Sequence, residues 1–312
     1  MTVSPVPERT LAIVTDEPGW HGRELHRAFA AWGYQALNVS LMDCHLSLQG
    51  SSAGIWLPGL DGALPAGVFV RGVPGGSLEQ VIQRLDILHA LQALGVVVYN
   101  SPRAIERTVD KSMTSFLLKH AGLPSPDTWV CESRQQARTH LLRAIARGAS
   151  LVLKPVFGSQ GEGLRLLQRP QDLPTEDEVN GLYYLQEYIA PQGETWQDWR
   201  VFVIHGQAVT AMRRYSRHWI TNRAQGASCE QVELDDRMTR LAEAAVKAVD
   251  IEYAGVDLLR DADGRFLITE VNSIPAWMGL QRATGIRMAE LLAEDFITRL
   301  SGGQPAGLEL IS

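Results

Sequence analysis

Cysteine is scarce in this chain of 312 residues: Cys44, Cys131 and Cys229 are far apart and odd in number, with no paired metal-ligand spacing. That pattern speaks against a disulfide framework and a zinc site, and for a reducing compartment. Positive charge is also in deficit, 29 Lys and Arg against 35 Asp and Glu, so no overall field draws in nucleic acid or an anionic membrane. No apolar run reaches the ~18 residues a spanning helix requires, and MTVSPVPERT lacks the basic start and apolar core of a signal peptide. A cytoplasmic protein with no nucleic-acid and no membrane partner is expected. Missing as well is a G-x-G-x-x-G between strand and helix, because TDEPGWHG has the wrong spacing, and dinucleotide binding there is disfavoured.

What the chain does have is apolar residues, 45% of it, enough to bury more than one core, and a length that suits roughly two domains or three small lobes. The strand-like runs LAIVTD (11–16), GVFVRG (67–72) and GVVVYN (95–100) alternate with helical spacing in RELHRAFAAWGY and LEQVIQRLDILHALQALG. Such alternation predicts a mostly parallel sheet in an N-terminal α/β domain over 1–105. The segment 106–190 reads as an α+β lobe: a helix capped by Asp110, another near 134–147, a glycine-rich hairpin and the strand YYLQEYI (183–189). After a hinge-like APQGE (190–194), the segment 191–312 holds a hairpin turning at His205-Gly206, a helix near 236–249, a second hairpin and a terminal helix near 286–300.

The second hairpin carries the sharpest chemical signal. In GVDLLRDADGRFLITEVN, a two-residue turn at Asp263-Gly264 sets Leu259 opposite Ile268 and Asp257 opposite Glu270. Like charges facing across a ladder are destabilising unless something neutralises them, and alternation puts Asn272 on the face of Glu270. The three offer an all-oxygen site suited to magnesium. A solvated strand acid or an ion-pair partner is the plainer reading of either acid alone.

LVLKPVFGSQGEGLRLL (151–167) has its lysine before the glycines, not after them as in a phosphate loop that opens a helix, so it predicts a hairpin with a pliant tip. Glycines let backbone N–H groups approach anionic oxygens, and Lys154 adds a point charge, as a flap over a nucleotide would require. An ordinary hairpin suffices for the glycines by themselves. YYLQEYI suits an apolar slot with backbone groups for a base edge. Asp198 and Arg200 share a strand face; by simple register Arg213, not Arg214, joins Arg200, unless a bulge intervenes.

The motifs VDKSMTSFLLKHAGLPSPDT, LVLKPVFGSQGEG, LQEYI, DWRVFVI, WITN, AGVDLL, EVNSIP and ATGI, in that order over about 101–286, resemble the ATP-grasp superfamily, and within it the RimK-type α-L-glutamate ligases. RLDILHALQALGVVVYNSPRAIER, with FVRGVPGG before it, further resembles ligases that add glutamate to tetrahydromethanopterin. Where many members have Arg-Ser-Asn and Gly-Gly, this chain has Ile220-Thr221-Asn222 and Gly226-Ala227, a form closer to branches that modify small molecules or biosynthetic intermediates.

The resemblance implies an ATP-grasp fold, α/β and α+β, with an N-terminal Rossmann-like (pre-ATP-grasp) domain. It implies that Lys111, Lys154, Gly158, Ser159, Gly161, Gly163, Gln186, Glu187, Tyr188, Ile189 and Asp198 bind ATP. Asp257, Glu270 and Asn272 would hold Mg2+, two ions, with Mn2+ as a substitute, and Arg200, Arg214 and Asn222 would face the reacting groups. The implied activity is ATP-dependent carbon–nitrogen ligation through an acyl phosphate, joining an amino acid, L-glutamate, to a small-molecule carboxylate such as a pterin or furan one-carbon cofactor. A ribosomal or carrier protein or a biosynthetic intermediate as acceptor, and a non-catalytic nucleotide-binding regulator, are the alternatives; homo-oligomerisation is left open.

Overall fold

The computed structural model of the chain describes residues 9–49, 52–158, 161–191, 193–221 and 226–302. The first part places β1 (Thr10–Val14), α1 (Gly19–Ala31), β2 (Gln35–Val39), the hairpin β3 (His45–Gln49) and β4 (Ser52–Trp56), β5 (Gly67–Val70), α2 (Leu78–Ala93) and β6 (Val97–Tyr99). Strands β2, β1, β5 and β6 form, in that order, an all-parallel sheet. Every residue of β1 is buried because helices cover both faces. Leu11 and Ile13 meet Leu25 and Phe29 of α1 on one side, while Ala12 and Val14 meet Ile87, Leu88 and Leu91 of α2 on the other. A capping box, Ser77 with Gln80, starts α2.

After α3 (Pro102–Val109) and α4 (Lys111–His120) comes a second sheet of β7 (Thr128–Cys131), β8 (Leu151–Lys154), β9 (Arg165–Leu167) and β10 (Tyr183–Glu187). Its order is β7-β10-β8-β9, antiparallel throughout, and α5 (Arg134–Ala146) seals one face with Ala137, Leu141 and Ala144. The third sheet, β13-β12-β11-β14-β15, is built from β11 (Trp196–Ile204), β12 (Gln207–Ser216), β13 (Ser228–Val232), β14 (Tyr253–Arg260) and β15 (Phe266–Asn272). Helix α6 (Asp236–Val249) covers one face through Met238, Ala242, Ala245 and Val246. The short α7 (Met278–Thr284) and the terminal α8 (Met288–Leu300) follow.

The sequence assigns the terminal helix to the last unit, but α8 also packs on the first sheet. Leu292 and Phe296 share one apolar core with Leu11, Phe69 and Tyr99 and with Phe202 and Tyr253 of the third sheet. Asn100 fastens the same junction: its amide donates to the Tyr253 and Ser273 carbonyls at 2.9 and 2.6 Å and accepts from the Tyr253 N–H at 2.9 Å. No helix among the described residues is long and apolar enough to cross a membrane.

Asn100 is fully buried, so its truncation strands one donor and two acceptors of the main chain. Asn100→Ala is expected to lower the unfolding free energy by about 2–4 kcal/mol, read from the denaturant midpoint; a loss within experimental scatter would show that the junction does not depend on this amide.

Candidate active site

Two hairpins of the third sheet decide which side chains meet. The predicted two-residue turn at Asp263-Gly264 does not form. Of these two only Gly264 has positive φ (75°), and the Asp261 carboxylate accepts from the Asp263 and Arg265 N–H groups at 3.0 and 2.9 Å, holding a five-residue loop. The register near the turn is therefore one residue off the predicted one, with Leu258, not Leu259, opposite Ile268. A bulge between Asp257 and Leu258 shifts it back, so Asp257 does face Glu270, and Gly255 faces Asn272. The other hairpin turns at His205-Gly206 as expected, both with positive φ, and the bulge that the arginine question required lies between Phe202 and Val203. It sets Arg214 opposite Asp198. Arg213 turns outward to Gln197 and Glu230.

The opposed carboxylates are neutralised by cations. Arg200 grips Asp257 with both edges of its fork, Nε to Oδ1 at 2.7 Å and Nη2 to Oδ2 at 2.6 Å. Arg214 Nη2 lies 3.0 Å from the same Oδ2, and its Nε donates to Asp198, whose second oxygen accepts from the Thr221 hydroxyl. Burial pushes the Asp257 carboxyl up, but Arg200 and Arg214 override it and hold it below the ordinary carboxylate range. Asp198 goes the other way: burial, with Asp257 nearby, raises it despite Arg214. Glu270 lies 3.8 Å from Lys154 Nζ. Burial lowers both Lys154 and Lys111, opposed in each case by the charge of Glu270.

Around these charges runs a cleft. One wall is the end of β10 and the residues after it, Glu187 to Pro191; the other brings Trp219, Ile220 and Leu259, and Lys154, Asp198, Arg214, Asp257 and Glu270 form the polar end. The Tyr188 hydroxyl accepts from the Trp196 indole at 2.5 Å, and its ring stands edge-on to Trp219. Gln186 also borders the cleft but donates its amide to Thr128 and Tyr184, which ties it into the sheet. Trp219 and Ile220 are the residues that sequence reasoning missed, although WITN contained them. Lys111, at the start of α4, donates to the Gly158 and Val156 carbonyls at 2.6 and 3.4 Å and so holds the glycine loop. Gly158, Gly161 and Gly163 all have positive φ, and a β-carbon on Gly163 would stand 2.7 Å from Pro155. Ser159 and Asn222 lie outside the described residues.

Among the described residues no group of three or more His, Cys, Asp and Glu suits a metal. Asp257 and Glu270 supply two carboxylates, and the Asn272 amide lies 3.5 Å from Asp257 Oδ2. Such a set fits magnesium, which takes one or two carboxylates and completes its shell with phosphate oxygens and water.

Residues 108–296 match the family model of the RimK-like ATP-grasp domain. A tetrahydromethanopterin:α-L-glutamate ligase of Methanosarcina acetivorans is 31% identical over an aligned length of 323, covering 90% of this chain and 96% of that protein. The ligase of the same name from Methanococcus maripaludis is 34% identical over 233 residues, 73% of this chain and 77% of its own. Among solved structures, the ATP-grasp ligase PsnB complexed with a phosphomimetic variant of its minimal precursor, Mg and ADP is similar with a TM-score of 0.70. It is 22% identical and covers 93% of this chain and 98% of that one, a likeness of fold.

Among the described residues Arg214 is the one cation paired with both buried carboxylates, Asp257 keeping Arg200 as well, so removing it leaves the Asp198 charge uncompensated. Arg214→Leu is expected to cost about 3–5 kcal/mol of stability at pH 7. Asp198 already has a raised pKa, so protonation favours the folded state and the penalty should shrink on acidification towards pH ~4.5. Denaturant titrations at both pH values check this, and an equal penalty at both would refute the buried charge as its cause.

Proposed function

Since this chain belongs to the RimK-like ATP-grasp family, we propose that it is an ATP-dependent ligase joining L-glutamate to a carboxylate of a pterin-type small molecule. The observation that carries this reading is the arrangement of Asp257, Glu270 and Asn272 beside Lys154, Arg200 and Arg214, at the polar end of an apolar slot. The slot between Tyr188, Ile189, Trp219 and Ile220 takes a flat base, and Lys111 and Lys154 take the phosphates. Asp257, Glu270 and Asn272 hold two magnesium ions, replaceable by Mn2+, which neutralise phosphate oxygens when bound.

The chemistry needs no side-chain nucleophile. An acceptor carboxylate oxygen bonds to the γ-phosphorus as the bond to ADP breaks; the free amine of the amino acid then bonds to the acyl carbon as phosphate leaves, and the nitrogen gives up one proton to the departing phosphate or water. Arg200 and Arg214 stabilise the charge that moves in both steps, and for this their forks must swing partly from Asp257 to the substrate. The glycine loop, with Gly158, Ser159, Gly161 and Gly163, excludes water that would destroy the acyl phosphate. The resemblance, not its position, assigns Asn222 to the acceptor. Thr221 keeps the hydroxyl of the serine common in the family, and that hydroxyl orients Asp198.

Incubation with magnesium, ATP, L-glutamate and tetrahydromethanopterin should release ADP and raise the acceptor mass by one glutamyl unit. ADP release without a mass increment would overturn amide formation. Lys154→Ala and Glu270→Ala should each lower turnover by at least about a hundred-fold with little change in melting temperature, and normal turnover by either would remove that residue from the site.

A further inference from the structure

Arg71, which follows β5 directly, belongs to none of the machinery above. Its N–H donates to the Val14 carbonyl at the end of β1, and its guanidinium lies 4.4 Å over the Trp277 ring. Nη1 donates to the Pro275 carbonyl at 3.0 Å, yet Nε is out of contact with solvent and has no partner. Among the described residues no carboxylate pairs with it; its ionisable neighbour is the Tyr253 phenol, which lies within hydrogen-bonding reach of the guanidinium and is itself pushed up to about 12 by burial. His21 offers no counter-charge either: burial and then Arg71 push it down to about 4, and its Nε2 accepts from the Trp277 N–H. The Trp277 indole N–H beside it is also buried without a partner, on a residue with no exposed surface. Arg71 is only partly buried, open enough for a ligand to reach, and a guanidinium whose Nε is sealed from water with no anion beside it is costly unless a ligand brings one.

Its place in the fold points the same way. The order β2-β1-β5-β6 reverses between β1 and β5, with α1 on one face and α2 on the other. Ligands of open parallel sheets bind at the carboxyl ends of the strands at such a reversal. The spot is joined to the reaction centre: Pro275 stands three residues after Asn272, and a β-carbon on Gly255 would meet Pro275 at 3.0 Å and Arg200 at 3.3 Å.

We propose that Arg71, set at the β1–β5 reversal over Trp277, anchors a substrate carboxylate other than the one being activated. The proposal rests on the ligase reading only for the owner of that carboxylate, either L-glutamate or the pterin-type acceptor.

The test is calorimetric titration of L-glutamate and, separately, of tetrahydromethanopterin into the full chain holding magnesium and ADP, for the wild type and Arg71→Gln. Affinity for one compound should fall by about ten- to a hundred-fold, and which one falls identifies the owner. Equal affinities in both proteins, or no binding of either compound by the wild type, would overturn the anchor. If Arg71→Gln does not fold, Arg71→Lys is titrated instead, because lysine keeps the charge but loses the planar fork. A loss of about three-fold or more then supports the anchor, and an unchanged affinity overturns it. ADP release measured on the same preparations separates the two readings: binding that depends on Arg71 with no turnover would sink the ligase and leave the site standing.

Discussion

Two carboxylates facing each other across a strand pair cannot both stay ionised without compensation, and the centre of this molecule is organised around that constraint. Asp257 is buried, so the compensation must come from side chains that reach it, and Arg200 does so from the adjacent strand and Arg214 from the strand beyond it. Arg214 in turn requires Asp198, which requires Thr221. Glu270 lies nearer the cleft and draws Lys154 from a different sheet. The charge pattern therefore spans two sheets, and an ion bound between the acids competes with the arginines for the same oxygens.

Much of this was legible in the sequence, but not all for the right reason. The predicted Asp257–Glu270 pairing rests on a turn that does not form: the one-residue error there is cancelled by the bulge beside Asp257. Neither feature could be read from alternation, because Leu, Ile and Thr suit a strand whether paired or bulged. The arginine question shows the converse, since simple register favoured Arg213 and only the extra residue near Val203 turns Arg214 inward. The cores of β1, α1 and α2 were visible because their apolar spacing is strong. Strand β2 and the β3–β4 hairpin were not, being short and mixed in polarity.

Trp219, Ile220 and Arg71 were hidden for another reason. Each lies in a segment whose neighbours in sequence do not reveal its neighbours in space. A tryptophan in a polar loop becomes a slot wall only once β10 lies opposite, and the arginine before the last glycine of GVFVRG becomes a cation without a carboxylate partner only once Trp277 and Pro275 have packed against it. Long-range pairing, not local propensity, gives these residues their chemistry.

The return of α8 to the first sheet determines where this molecule can articulate. The first and third sheets share one apolar core and the Asn100 clasp, so rotating either against the other would tear packed side chains apart. The second sheet meets the rest mainly through polar contacts, Lys154 with Glu270, Lys111 with Gly158 and Ser115 with Tyr184. The chain crosses into and out of it at neighbouring points, near 125 and 190. The molecule is thus a two-sheet anvil with a single jaw, and a nucleotide gripped between them would feel one moving side and one fixed side.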